Sequence, residues 1–216
     1  IRYVPFILLT LILSGNLTGQ VITNQDVGRG VTLFYEARFS EAQDILEQLI
    51  NEGRLNDENL FVAHLYSGFC LIRLGAQPEL YQEHFIHAVK ANPHINVDYK
   101  KLPPDLYEEY LKVRLQMLGQ LVIWSQPPSA SVFLFEENSP KIIRHHTPVQ
   151  LENVLVGTYE LVVAKDGFIP QTVQIQVKAS QTDTLLFKLE KKEVSLVKKY
   201  WPWAGGFIVA TSVVLS

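Results

Sequence analysis

The sequence predicts an α+β protein in two domains, a helical N-terminal half followed by a small all-β sandwich. Two patterns in its 216 residues predict this. From Asp26 to about Leu118 apolar residues recur roughly every 3.6 positions, and from Gly119 to Leu189 they alternate in short runs punctuated by turn residues. A third observation sets the limits of both domains. Residues 1–19 and 200–216 are apolar runs that fit neither pattern.

In the helical half, Leu33, Phe34 and Ala37, then Ala42, Ile45, Leu46 and Leu49, fall at helical spacing with a break at Arg38–Ser40. Ser40 with Gln43 reads as an N-cap and capping box, so Val31–Ile50 is expected to form two short antiparallel helices. A second pair is expected at Leu60–Leu74, stopped by Gly75, and at Leu80–Ala91, ending before Pro93. Asn92–Asp105 is a polar, proline-containing connection. Leu106–Leu118 then reads as one last amphipathic helix, with Leu106, Tyr110, Val113 and Met117 on one stripe.

The β half opens with alternating runs at Gln120–Trp124 and Ser131–Phe135. Further runs follow at Pro148–Leu151, Thr158–Ala164, Gln171–Val177 and Thr184–Leu189. In Gln171–Val177 the residues Val173, Ile175 and Val177 share one face, and Thr172, Gln174 and Gln176 share the other, as in a half-buried strand. Pro127-Pro128, Asn138-Ser139-Pro140, Gly157 and Asp166-Gly167 supply the turns. Glu136–His146 reads as a long polar hairpin. Tyr159 alternates in phase with Leu161 and Val163 and is expected to pack in the core.

Two resemblances carry these readings further. The segment G-V-T-L-F-Y-E-A-R-F-S-E-A-Q-D-I-L (Gly30–Leu46) resembles a tetratricopeptide repeat, with Gly30 allowing close helix approach, Phe39 filling the turn and Ala42 as the small contact. Gly68, Ala88 and Pro93 fall where a second unit would place them. The resemblance implies a helical domain over residues 24–118 whose concave face binds a protein partner. Arg29, Tyr35, Arg38, His64, Tyr66 and Arg73 are the candidate partner-binding residues.

The second resemblance covers residues 119–190. G-Q-L-V-I-W-S-Q-P-P-S-A-S-V (Gly119–Val132), T-P-V-Q-L (Thr147–Leu151), G-T-Y-E-L-V-V (Gly157–Val163) and K-D-G-F (Lys165–Phe168) succeed one another as in a PEGA domain. That family is a β-sandwich of surface and envelope proteins in bacteria and archaea. Here Pro127-Pro128-Ser129-Ala130 stands for the tetrapeptide that names it, and only the first and last letters are kept. The resemblance implies a fold and a cell location. It implies no ligand.

Residues 1–19 pair Arg2 with an apolar run and small residues, the pattern of a secretory signal peptide. Residues 191–199 form a basic linker ending in Lys198 and Lys199. Residues 200–216 begin with Tyr200, Trp201 and Trp203 and read as the start of a C-terminal transmembrane helix. The chain is therefore expected to be exported and membrane-anchored, with its main domains on the periplasmic or extracellular side.

A net charge of −3 gives no footprint for nucleic acid. No nucleophile elbow, zinc-protease helix or phosphate loop is present in the sequence. His84 and His87, with Glu83 beside them, have the spacing of half a metal site but lack a third ligand. They are read as surface or groove polar residues of a repeat helix, and His145-His146 are read as solvated hairpin residues. The single cysteine, Cys70, sits in an apolar helical run and is expected to be buried and inert. The expectation is a non-enzymatic interaction protein of the cell envelope with no cofactor and no metal. Two alternatives stay open. One is cell-wall glycan binding by the β-module through Trp124, Phe133 and Phe135. The other is the exported part of a transmembrane sensor.

Overall fold

A computed structural model describes residues 24–137 and 142–193 of the chain. The expected signal peptide, the membrane segment and most of the basic linker lie outside those residues. Among the described residues no helix is long and apolar enough to cross a membrane.

Among the described residues five α-helices come first: α1 (Asn24–Tyr35), α2 (Phe39–Asn51), α3 (Asp57–Arg73), α4 (Pro78–Ala91) and α5 (Pro104–Met117), with a short 3-10 turn at Tyr99–Lys101. Each helix packs against the next, and α1 also packs against α3. Close approach rests on two missing side chains. A methyl at Gly30 would lie 2.6 Å from Leu46 Cδ2, and one at Gly68 would lie 2.4 Å from the Phe85 ring. Ala42 and Ala88 are fully buried beside them. A run of aromatic rings then crosses the helical core, from Phe34 to Phe69 to Phe85 to Tyr110, with neighbouring centroids 5.5–6.1 Å apart.

Helix starts differ from the sequence reading. Ser40 does not cap α2. The helix begins two residues earlier than that cap implies, at Phe39, whose ring packs on Phe34 at 5.6 Å, and Arg38 occupies the cap position without a side-chain cap bond. Helix α3 begins three residues before Leu60, since Asn56 accepts the Asn59 N–H at 2.8 Å, and Asp57 and Glu58 suit the positive end of the helix dipole. Pro78 and Pro104 start α4 and α5, where a proline loses no helical hydrogen bond. Gly75 follows the end of α3 at φ 75°, in the left-handed region that glycine enters without penalty.

Seven strands follow among the described residues: β1 (Leu118–Gln126), β2 (Ser131–Glu136), β3 (Ile142–His146), β4 (Val149–Leu155), β5 (Gly157–Ala164), β6 (Gln171–Val177) and β7 (Thr182–Lys188). They form two sheets, ordered β4-β1-β7 and β3-β2-β5-β6. All pairings are antiparallel except β1 with β7. The segment read as a polar hairpin contains a strand, β3. It pairs only with β2 and is mostly exposed, so it has no buried face to print an alternating pattern.

The sandwich core is built from Leu121 and Ile123 of β1, Val132 and Leu134 of β2, and Tyr159, Leu161 and Val163 of β5, closed by Leu151, Val154 and Phe187. The Tyr159 hydroxyl donates to the Leu155 carbonyl at 2.9 Å, which lets a phenol sit inside. At the far end of the sandwich the motif residues lock together. The Thr147 hydroxyl accepts the Ala130 N–H at 3.0 Å and donates to Ser125 Oγ, which donates in turn to the Pro127 carbonyl at 2.6 Å. Lys165 Nζ donates to the carbonyls of Pro128 and Ser129.

Helix α5 passes into β1 without a linker, and the junction is pinned from both sides. Val156 N–H bonds the Met117 carbonyl, Ser180 N–H bonds the Leu118 carbonyl, and Ser180 Oγ bonds the Leu115 carbonyl, each at 2.8 Å. Arg114 of α5 donates to the Ile95 carbonyl, the Tyr110 hydroxyl and Asn153 Oδ1, which ties the helical half to β4.

Candidate functional site

The six candidate partner-binding residues do not form one surface. Tyr35 and Tyr66 meet: the Tyr66 hydroxyl donates to Tyr35 Oη at 3.0 Å, and Tyr35 donates onward to the Lys101 carbonyl at 3.3 Å. Burial pushes the Tyr66 phenol well above its usual range. Arg38 is paired within its own turn with Glu41 and Glu36, which raises its guanidinium and lowers the Glu41 carboxyl. Arg73 forms two hydrogen bonds with Asp105 of α5, at 2.7 and 3.2 Å, and its guanidinium holds that carboxyl below the usual range. Arg29 is exposed on α1. His64 is 8% exposed and packs on His84 and His87 of α4, whereas Tyr66, two residues on, packs on Phe34 and Tyr35 of α1. Two residues apart on a helix point in nearly opposite directions.

The aromatic set proposed for sugar binding is split by the sandwich itself. Ile123 points into the core, so its neighbour Trp124 lies on the outer face of the β4-β1-β7 sheet, 49% exposed and paired with exposed Leu186 of β7. Phe133 and Phe135 flank buried Leu134 and so lie on the outer face of the other sheet, where the Arg144 guanidinium sits 6.0 Å from the Phe133 ring. One ligand cannot touch both faces.

Residues outside both sets frame a large cleft. A cleft of about 1030 Å³ lies between the end of α4 and the β3–β4 side of the sandwich. Its helical wall is Lys90 and the Asn92–His94 turn, and its sheet wall is the whole run from Gln150 to Val156. Glu136, Ile143 and His145 complete the rim, and Leu134, Leu151 and Val154 give it an apolar floor. Strand β4 is an edge strand, paired only with β1 in its sheet, and its residues line this space. Sequence reasoning missed the cleft because it depends on strand order. The one available signal was the proline-containing connection after Ala91.

Groups of obvious reactivity are shielded. Burial pushes the Cys70 thiol up to about 12, which leaves no thiolate at neutral pH. Among the described residues no group of three or more His, Cys, Asp or Glu is placed to hold a metal ion. The cleft itself offers an apolar floor and charged rim residues.

A PEGA domain is found at residues 118–193. The match begins at the first residue of β1 and includes all seven strands. Within the PEGA domain, the P-P-S-A, Thr-Pro and Lys-Asp-Gly-Phe elements are the ones locked together by Thr147 and Lys165. Among solved structures, "The Bacillus anthracis TIE protein" is similar at 22% identity, over 35% of this chain and 17% of that chain, with a TM-score of 0.29. The present chain thus spans about a sixth of that protein's length. No curated protein matches the chain.

Proposed function

We propose that this chain is a non-enzymatic interaction protein of the bacterial envelope. Residues 1–19 direct export and a segment beginning near residue 200 anchors it in the membrane. The helices act as tetratricopeptide-like hairpins, and together with the PEGA domain they hold a protein partner in the cleft between them. One observation carries this reading. The cleft is bounded by both halves of a junction already fixed by Arg114, Val156 and Ser180, so a partner meets a preformed site. The free edge of β4 favours an extended segment, which gains backbone hydrogen bonds along Gln150–Leu155 and side-chain contacts on the apolar floor.

A second reading is supported by exposed Trp124 beside Leu186, an aromatic face on which a cell-wall sugar could stack. A photo-crosslinking residue placed in separate experiments at Gln150, Arg29 and Trp124 distinguishes the sites in growing cells. The cleft reading expects a protein adduct of discrete mass from Gln150. Protein adducts from Arg29 alone would move the site to the α1 face. Glycan adducts from Trp124 alone would replace partner capture with cell-wall binding.

A further inference from the structure

Three imidazoles meet where α2, α3 and α4 pack together. His64 Nδ1 of α3 lies 3.1 Å from His84 Nδ1 of α4, and the His87 ring, one turn further along α4, stacks on the His64 ring at 5.1 Å and 21°. The charged groups facing them are Glu47 of α2, whose Oε1 is 3.2 Å from His84 Nε2, and Glu83 of α4, 3.9 Å from His87 Nε2. Gln43 of α2 donates to the same Glu47 oxygen at 3.0 Å.

The Glu47 carboxylate beside His84 Nε2 favours the proton on that nitrogen, which leaves His84 Nδ1 with its lone pair to accept the Nδ1–H of His64. One proton added to His84 is accommodated when His64 moves its own proton to Nε2 and accepts from His84 Nδ1, whereas a second proton leaves two N–H groups facing each other across 3.1 Å. Full protonation sets three cations against two carboxylates, with His64 nearly closed off from water.

We propose that the His64–His84–His87 junction is an acid-sensitive fastener, in which proton uptake loosens α4 from α3 and α2 while the sandwich remains folded. Burial, reinforced by His84 and His87, lowers His64 to about 4, and burial also lowers His84 against the pull of Glu47. A histidine depressed in the folded state binds fewer protons folded than unfolded. Stability is therefore complete above about pH 6.5 and is lost as pH falls toward about 4. The histidines of the sandwich, His145 and His146, are exposed. The loosening belongs to the helical half and is independent of what the cleft binds.

Urea unfolding of the full chain at pH 8, 6 and 5, followed by circular dichroism at 222 nm, tests it beside His84→Gln and His64→Gln. For His64 alone the shift corresponds to about a 30-fold rise in the unfolding constant between pH 8 and pH 5. Screening by solvent around half-exposed His87 reduces this to about tenfold. The wild type should show that rise and the variants should flatten it, whereas a purely structural role would shift all pH values alike. An identical pH dependence in all three proteins overturns the proposal. Should the variants fail to fold, imidazole NMR of the wild type decides. His64 should stay neutral at about pH 5.5 while the chain is folded, and titration near 6.5 in the folded state would overturn it.

Discussion

Gly119 is the point where a single methyl tests the junction between the two halves. A Cβ there would lie 2.4 Å from the Lys178 carbonyl oxygen and 2.8 Å from Val177 Cγ1. Ordinary contact requires the β6–β7 turn to retreat by about 1 Å, and its near contact is backbone, which cannot rotate away. That turn is held by three bonds of 2.8 Å, from Ser180 N–H to Leu118, from Gln120 N–H to the Gln181 carbonyl, and from Ser180 Oγ to Leu115. Overpacking costs about 1–3 kcal/mol, and each hydrogen bond lost adds roughly 0.5–1.5 kcal/mol. Gly119→Ala should therefore destabilise the protein by about 2–5 kcal/mol. With a urea dependence of about 2 kcal/mol per molar, the unfolding midpoint should fall by about 1–2.5 M. Circular dichroism across a urea titration measures this. A midpoint within about 0.2 M of wild type would refute the reasoning, because it would mean the turn moves freely.

Two further outcomes can be read from the same purified protein. Tyr159→Ala should lose about 3–5 kcal/mol through the cavity it leaves in the sandwich. Tyr159→Phe, which removes only the hydroxyl bonded to Leu155, should lose about 0.5–1.5 kcal/mol. Cys70, with its thiol pushed up to about 12, should resist a thiol reagent at pH 8 in the folded protein and react once urea is added. Rapid reaction in the folded state would reveal local opening of α3.

The helices were legible because each had to bury one face, and that requirement leaves a period in the sequence. Their starts were less legible: Asn56, Pro78 and Pro104 act through backbone geometry, which a hydrophobic count overlooks. Strand β3 left no alternation, since an edge strand in water needs none. The polar candidates of the helical half were chosen by residue type, but their partners come from distant positions. Asp105 takes up Arg73 from 32 residues away, and His64 meets His84 across the α3–α4 hairpin. The spacing of His84 and His87 was visible; the third ring needed the packing register. The cleft needed more still, because its edge exists only once the order β4-β1-β7 is known.

The parallel pairing of β1 with β7 sets how the domain carries mechanical load. Helix α5 enters β1 at Leu118, and the chain leaves β7 beyond Lys188 at the opposite end of the sandwich. Tension between the helical half and whatever follows β7 pulls the two strands lengthwise in opposite senses. The seven registered pairs from Gln120–Thr182 to Gln126–Lys188 then bear the force together, as a lap joint does in shear. A hairpin pulled at its open end would peel one bond at a time. This strand order makes the sandwich a force-bearing splice between its two ends.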